Sequence, residues 1–255
     1  MASTIRTDKI GPADGSADFT LPTADGSAGQ FIKTDGSKAL SFATVTETGF
    51  LGVVVYTATG TYTPGNTTNG TAGDEGSATV SKIIVEVLSA GGGSGSCGAA
   101  ATSGGAGGAG SYALKVLDIG TDRAVITTCT PTVGAAGAAA SYAGSEAGAT
   151  GGASSFAFAT GSGSFATVVT FGGVGGTYNT YTPGAGGAAP TTGDINLAGC
   201  RGYSSNSGGD SQYGWGGRPD PNPGTGYGTG SASGSGTNTN GIPGKDGIIV
   251  IWEYA

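Results

Sequence analysis

The residues most suggestive of chemistry form a glycine loop directly after a strand-like apolar run. Residues 80–88 lead into Gly93-Ser-Gly-Ser-Cys-Gly98, a GxGxxG pattern, and Asp118 follows 20 residues after its last glycine. This is the spacing of a dinucleotide-binding fingerprint, in which the glycines admit a pyrophosphate and the acid binds a ribose hydroxyl. That mechanism needs a helix beginning inside the motif. Residues 99–110 hold five glycines and no large apolar side chain, so we expect no nucleotide cofactor.

Nucleophilic and metal chemistry lack their usual residues. The chain has no histidine, and its three cysteines, Cys97, Cys129 and Cys200, are widely spaced. Without histidine there is no Ser-His or Cys-His pair, and a zinc site would lack common ligands. We therefore expect no metal site, and cysteines that pack as small apolar groups. A glycosidase needs only two carboxylates, and the glycine-rich part offers few: Asp118, Asp122, Glu146, Asp194, Asp210 and Asp220.

A set of aromatic and basic residues between positions 200 and 230 is better suited to recognition than to catalysis. Tyr and Trp supply rigid contact area, and the surrounding Ser, Gly and Asn supply adaptable hydrogen bonds, as in loop-built binding surfaces. The alternative is that these side chains fill gaps in a core short of large residues. Tyr178 and Tyr181 are weaker members of the same set. The candidate receptor-binding residues are Arg201, Tyr203, Tyr213, Trp215, Arg218 and Tyr227.

Charge and hydropathy exclude several partners. The net charge is −7, with only ten Lys and Arg, which disfavours binding to nucleic acid or to an anionic membrane surface. No apolar stretch has the length of a membrane span, and the first residues have no apolar signal core. We expect neither membrane insertion nor export through a signal peptide.

The elements that would position these residues are short strands. Strand-like runs lie at 51–56, 80–88, 112–117, 124–129, 155–158, 165–171 and 247–254, and no window has a sustained helical period. The sequence therefore predicts an all-β fold, a short-strand sandwich or jelly-roll-like core with long glycine-rich loops.

Glycine dominates the connections between these strands. Of 55 glycines, 43 follow residue 90, and residues 172–247 contain almost no strand signal beyond 194–197. One interpretation is flexible loop. The other rests on glycine spaced at three, as in Gly104, Gly107 and Gly110, which would let polyglycine-type extended helices pack side by side and bond to one another.

The first 48 residues differ from the rest. Asp14-Gly-Ser16, Asp25-Gly-Ser27 and Asp35-Gly-Ser37 recur with short apolar runs behind them, a pattern of tight turns and short strands. We expect an N-terminal β-repeat stalk over 1–48 for attachment or oligomerisation, and a glycine-rich β domain over 49–255. The alternative is an ordinary meander within one domain.

Taken in order, these segments resemble the glycine-rich C-terminal domain of tailed-bacteriophage tail fibres and receptor-binding tail proteins. The most specific part is the terminus from Gly244 to Tyr254, GKDGIIVIWEY, and residues 25–42 are similar to repeats of phage fibre stalks. The resemblance implies a virion structural protein that is not an enzyme, is homotrimeric, and is assembled in the host cytoplasm.

By the same resemblance, loops would bind a host surface polysaccharide or outer-membrane protein, and residues 1–48 would join other tail or fibre proteins. Two other classes stay open. One is a purely structural virion component, such as a capsid-decorating fibre or tail adaptor, with the 200–230 loop buried. The other is a carbohydrate-active spike.

Overall fold

A computed structural model describes the chain in two compact units, residues 1–48 and 49–255. The described residues are 9–10, 18–24, 26–28, 30–34, 36–37, 39–44, 49–64, 80–99, 103–118, 128–158, 166–203, 207–218 and 224–255. Within them every regular element is a strand, so the predicted all-β class is confirmed. No helix in this part of the chain is long and apolar enough to cross a membrane.

The first unit contains two antiparallel pairs. Strand β1 (Lys9–Ile10) pairs with β2 (Phe19–Thr20), and β3 (Gln30–Thr34) pairs with β4 (Leu40–Thr44). The β3–β4 turn includes Gly36 at φ +82°, a left-handed conformation that glycine adopts without strain. The aspartates of the three Asp-Gly-Ser repeats lie outside the described residues. The role of this unit as a stalk stays a prediction.

The second unit is built on a five-stranded antiparallel sheet. Its long strands match the apolar runs of the sequence, and burial alternates along residues 82–88 because alternate side chains of a strand point to opposite faces. The edge-to-edge order is β11-β7-β6-β14-β5. The strands are β5 (Phe50–Tyr56), β6 (Lys82–Leu88), β7 (Tyr112–Asp118), β11 (Ile195–Leu197) and β14 (Ile248–Tyr254).

A three-stranded sheet covers one face of the five-stranded sheet. It consists of β8 (Cys129–Thr132), β9 (Ser155–Phe158) and β10 (Val168–Val169), in the order β10-β9-β8. Two further short strands, β12 (Gly214–Trp215) and β13 (Thr225–Gly226), form a separate hairpin. The apolar core between the two sheets is fully desolvated, and its large members include Tyr62, Ile83, Val85, Leu117, Phe156, Val168, Ile249 and Ile251.

Beyond the sandwich lies a body without strands or helices, which we call the glycine bundle: residues 89–111, 134–154, 170–187, 198–209 and 228–247 where described. Segment 89–97 continues directly from β6, and 103–111 leads back into β7. The bundle therefore extends from one end of the five-stranded sheet. We call the end farther from the sheet the outer end.

The segments of the bundle are joined by backbone hydrogen bonds with a period of three residues. We call residues 89–97 the central segment. Its successive N–H groups donate to three neighbouring segments in turn, and every third residue donates to the same neighbour. The pairs, from N–H to carbonyl, are Ala90 to Gly152, Gly91 to Lys245, Gly92 to Gly108, Gly93 to Ala149, Ser94 to Ile242 and Gly95 to Gly105, all at 2.8–3.2 Å.

The carbonyl groups of the same segment accept from three further directions. Acceptor bonds reach Ala90 from Gly173, Gly91 from Gly137, Gly92 from Ser231, Gly93 from Gly176 and Ser94 from Ala140. The segment thus has six backbone neighbours, and residues 87–98 are all buried. A period of three is that of an extended helix with three residues per turn, which has no internal hydrogen bonds. Residues 172–187, 198–203 and 228–247 are built into the same network, so the polyglycine-type alternative describes them and flexible loop does not.

Close approach of the segments explains the glycine spacing. A Cβ on Gly107 would lie 2.0 Å from the carbonyl oxygen of Gly92, and one on Gly110 would lie 2.1 Å from that of Ser89. Real Cβ atoms do not come that near to backbone, so these positions admit only glycine. Ala106 and Ala109 occupy the third register and are buried without such a clash.

Adding one methyl group inside the bundle should therefore destabilise the protein. We expect Gly107→Ala to lower the free energy of unfolding by about 1–3 kcal/mol, the usual range for overpacking, or to prevent folding. Gly49→Ala is the matched control, because nothing lies within 4 Å of its added Cβ. Urea unfolding of both variants measures the difference, and equal stability would contradict close packing at Gly107.

Candidate functional site

The nucleotide-like motif lies inside the glycine bundle. Two of its glycines face neighbouring backbone: a Cβ on Gly93 would lie 2.1 Å from the Ala138 oxygen, and one on Gly95 would lie 1.9 Å from the Thr177 oxygen. The third, Gly98, faces the side chains of Tyr178 and Asn179. Segment 93–98 is buried, and no helix follows it in the described residues. The space that a pyrophosphate would need is filled by other segments, so these glycines serve packing.

Two acidic residues of the glycine-rich part, Asp194 and Asp210, serve structure. Asp194 accepts from the Lys115 Nζ at 2.7 Å and from the Val116 N–H at 2.8 Å, and these bonds lower its pKa. Asp210 accepts from the Gly216 N–H at 2.7 Å. Asp122 and Asp220 lie outside the described residues. Within the described part, no group of three His, Cys, Asp or Glu residues could hold a metal ion.

The six candidate recognition residues do not form one surface. Along the length of the bundle, Tyr203 lies at about the same distance from the sheet as Ala106, because Gly202 donates to Gly184 and Gly184 donates to Ala106. Tyr213 lies against Tyr112, with ring centroids 6.5 Å apart. Six residues of an extended helix separate these two levels, which is about 19 Å at 3.1 Å per residue. Arg201 and Tyr203 therefore belong to the outer part of the bundle, and Tyr213 belongs to its sheet end. Arg218 follows Gly217, which is bonded through Gly230 and Gly209 to Gly107, so its backbone lies near the level of Tyr203.

Tyr213 is part of a polar cluster on the five-stranded sheet. One carboxylate oxygen of Glu86 accepts from the hydroxyl groups of Tyr213 and Tyr112, the latter at 2.8 Å, and the other accepts from the Trp252 indole N–H at 2.6 Å. Leu88, Ile248 and Val250 pack beside them. Burial, together with the bond to Glu86, raises the pKa of both tyrosines. For Tyr213, the gap-filling interpretation describes the observed position.

The remaining members, Trp215, Arg218 and Tyr227, are exposed on the β12–β13 hairpin or beside it. Trp215 is 67% exposed, and the guanidinium carbon of Arg218 lies 5.5 Å from the centre of its ring. Tyr227 is also exposed and follows β13. We call Trp215, Arg218 and Tyr227 the flank residues, or flank surface; Tyr213, just before β12, is bonded to Glu86 of the sheet.

The outer end of the bundle carries a second group of aromatic residues. Here the segments reverse through turns at 141–146, 177–182 and 235–240. Each turn contains one non-glycine residue with positive φ, respectively Ser145 at 54°, Asn179 at 49° and Asn238 at 57°, and these are all such residues in the described chain. Backbone of this kind costs free energy and clusters at functional loops.

Four tyrosines lie on or beside these turns: Tyr142, Tyr178, Tyr181 and Tyr203. Tyr142, Tyr181 and Tyr203 are 45%, 54% and 47% exposed. The Ser145 hydroxyl donates to the Tyr178 hydroxyl at 3.1 Å, and the Gly98 N–H donates to Asn179 at 2.6 Å, so separate turns are tied together. Sequence reasoning missed Tyr142, which has no other aromatic residue near it in the chain. Only the three-residue spacing of the glycines could have revealed where the segments reverse.

A groove of about 400 Å³ opens beside one of these turns. Its walls are Tyr181, Thr182, Pro183, Ala185 and Arg201. The Thr177 hydroxyl donates to the Thr182 carbonyl at 2.9 Å, which fixes the turn, and the Gly202–Gly184 backbone bond of 3.0 Å lies beneath the groove. The groove therefore joins a candidate from the sequence, Arg201, with one of the weaker candidates, Tyr181.

The Glu86 cluster can be tested by removing a single hydroxyl group. Tyr213→Phe keeps the ring and leaves one bond to Glu86 unmade, so we expect the free energy of unfolding to fall by about 1–2 kcal/mol. Tyr203→Phe is the control, because its ring is half exposed at the outer end. Denaturant unfolding followed by tryptophan fluorescence gives both values, and an unchanged Tyr213 variant would show that this hydroxyl contributes nothing to stability.

The raised tyrosine pKa values predict alkaline unfolding. Burial raises the pKa of Tyr62, Tyr112 and Tyr213 above the ordinary value of 10.0. The folded state then holds these protons more tightly than the unfolded state, so their stabilisation is complete below about pH 10 and is lost as the pH rises above it. Tyrosinate absorbance should show some of the ten tyrosines ionising only as the protein unfolds. Titration of all of them near pH 10 in a folded protein would contradict this.

Comparison with known proteins gives no family assignment. The sequence matches no protein-family model, and no curated protein is significantly similar to it. Function therefore has to be inferred from the residues and geometry of the outer end and the flank surface.

Proposed function

We propose that the chain is a virion structural protein of a tailed bacteriophage, a tail fibre or fibre-tip adhesin that binds a host surface receptor. The resemblance of the Gly244–Tyr254 terminus and of residues 25–42 to phage fibre proteins supports this. In this proposal the outer end of the glycine bundle is the receptor-binding surface, and the protein has no enzymatic activity.

One observation carries the proposal: exposed tyrosines lie on or beside turns whose flanking segments are bonded to the buried segments of the bundle, as Ala140 is to Ser94 and Cys200 is to Ala109. Such a body holds its turns in place, so little ordering entropy opposes binding. Tyrosine gives a rigid ring and a hydrogen-bonding hydroxyl at low entropic cost, and is enriched in binding energy hot spots. Receptor contact at the outer end would therefore use Tyr142, Tyr181, Arg201 and Tyr203.

The partners that we propose for this protein are those that the resemblance to phage fibre proteins implies. The receptor would be a host surface polysaccharide or an outer-membrane protein, and residues 1–48 would join other tail or fibre proteins. The protein would be a homotrimer in the virion, assembled in the host cytoplasm. The solution mass of the intact chain distinguishes a trimer from a monomer.

A second candidate is a purely structural virion component, such as a capsid-decorating fibre or tail adaptor. The position of Tyr213 favours it, because this aromatic side chain of the 200–230 region contributes to internal packing and to the Glu86 cluster. In that case neither the outer end nor Trp215, Arg218 and Tyr227 would contact a receptor.

Adsorption of phage carrying variant proteins separates these possibilities. We expect the triple variant Tyr142→Ala, Tyr181→Ala and Tyr203→Ala to adsorb to host cells about tenfold more slowly or worse, since loss of central aromatic contacts commonly costs 2 kcal/mol or more. The matched control replaces the flank residues Trp215, Arg218 and Tyr227 by alanine.

The control should adsorb normally while both proteins keep their thermal unfolding temperature. Loss of adsorption in the flank variant alone would place the receptor site on the hairpin. Normal adsorption of both variants would favour the purely structural candidate.

A further inference from the structure

The groove beside Tyr181 combines an aromatic wall, a hydroxyl group and a guanidinium. Tyr181 and Arg201 are both exposed, and Thr182 and Pro183 lie between them in the lining. In the described residues no carboxylate forms an ion pair with Arg201, although acids outnumber basic residues 17 to 10 in the chain. The positive charge of Arg201 is therefore not neutralised by a described neighbour.

These groups match one class of ligand. A flat tyrosine face and a proline ring pack against the apolar face of a pyranose, as aromatic residues with a polar edge do at wet interfaces. A guanidinium presents a planar fork that binds carboxylate or phosphate through two parallel hydrogen bonds. A volume of about 400 Å³ suits one or two sugar units.

The groove is also fixed before any ligand arrives. The Thr177 side chain bonds to the Thr182 carbonyl and to the Thr180 hydroxyl, which closes the turn that carries Tyr181. Gly184 is bonded to Ala106 at 2.8 Å, in segment 103–111 of the bundle. Arg201 follows Cys200, whose carbonyl accepts from Ala109 at 2.8 Å. Both walls are thus anchored to the same buried segment.

We infer that this groove binds an acidic sugar unit, a pyranoside that bears a carboxylate or a phosphate, with its ring on Tyr181 and its anionic group on Arg201. The inference rests on the proposed function and narrows it: the receptor is an acidic surface polysaccharide. The carboxylate and phosphate forms share this chemistry, and separate probes tell them apart.

The test measures binding of three probes to the intact chain by nuclear magnetic resonance titration: methyl glucuronide, glucose 6-phosphate and neutral methyl glucoside. We expect at least one acidic probe to bind about tenfold more tightly than the glucoside, because one good charged contact contributes about that factor. Arg201→Gln should remove the difference, and Arg201→Lys should keep part of it. Arg218→Gln, on the flank surface, is the control and should change nothing.

Equal binding of all three probes, no binding of either acidic probe, or unchanged selectivity in Arg201→Gln would overturn the inference. Each variant is first checked for an unchanged thermal unfolding temperature. The two proposals fail differently. Normal acid selectivity with normal adsorption of the outer-end triple variant would overturn receptor binding at the outer end, whereas lost adsorption without acid selectivity would overturn only the acidic sugar.

Discussion

The structure of residues 49–255 depends on one interaction, the hydrogen bond from a backbone N–H of one extended segment to a backbone carbonyl of another. In the central segment of the bundle these bonds point in six directions, each to a different neighbouring segment. The segment therefore forms neither a helix, which bonds to itself, nor a strand, which bonds to two neighbours. Each bond contributes only about 0.5–1.5 kcal/mol. Their number is large, and an unmade bond in a buried backbone would be costly.

This interaction dictates the composition. Segments that bond on all sides must approach until no Cβ fits at the contact, as at Gly107 against Gly92. Few large side chains remain to make a core, so the strand sandwich supplies most of the apolar burial, with Tyr62, Phe156 and Ile251 among its fully buried members. The small polar residues of the bundle are also used: the Ser89 and Thr170 hydroxyl groups bond at 2.6 Å, and no buried side-chain N or O in the described residues lacks a partner. The sandwich thus anchors the bundle, and the bundle holds its turns in place at the outer end.

Much of the sandwich could be predicted from the sequence. Residues 82–88, 112–118 and 248–254 form strands because each is a short run rich in apolar residues, and in 82–88 burial also alternates with a period of two. For residues 172–187 and 228–247 the sequence left two alternatives open, flexible loop and packed extended helices. Segments made of glycine and small residues have no hydrophobic period that could decide between them. Glycine at every third position was the usable signal. Which segments become neighbours depends on bonds between residues far apart in the chain, and single-segment patterns do not contain that information.

The candidate site was predictable in composition rather than in place. Composition favours Arg201, Tyr203 and Trp215 as candidates for recognition, and all three are exposed. Tyr213 belongs to the same set of candidates, but its hydroxyl donates to Glu86, which is 127 positions away in the chain. Nothing in the sequence around Glu86 distinguishes it from an ordinary charged residue of a strand. Tyr142 was missed because its aromatic neighbours come from other turns. Residues that are close in sequence are thus separated by the fold, since Tyr213 is bonded to the sheet whereas Tyr203 lies in the outer part of the bundle.

Hydrogen exchange of the backbone amides in the central segment tests the account most directly. If six-sided backbone bonding stabilises the bundle, the amides of Gly92, Gly93 and Gly95 should exchange as slowly as those of Val85 and Ile251 in the sheet, with protection close to the free energy of global unfolding. Exchange of these glycine amides within seconds, while the sheet amides stay protected, would show that the segments are mobile loops and would contradict the account.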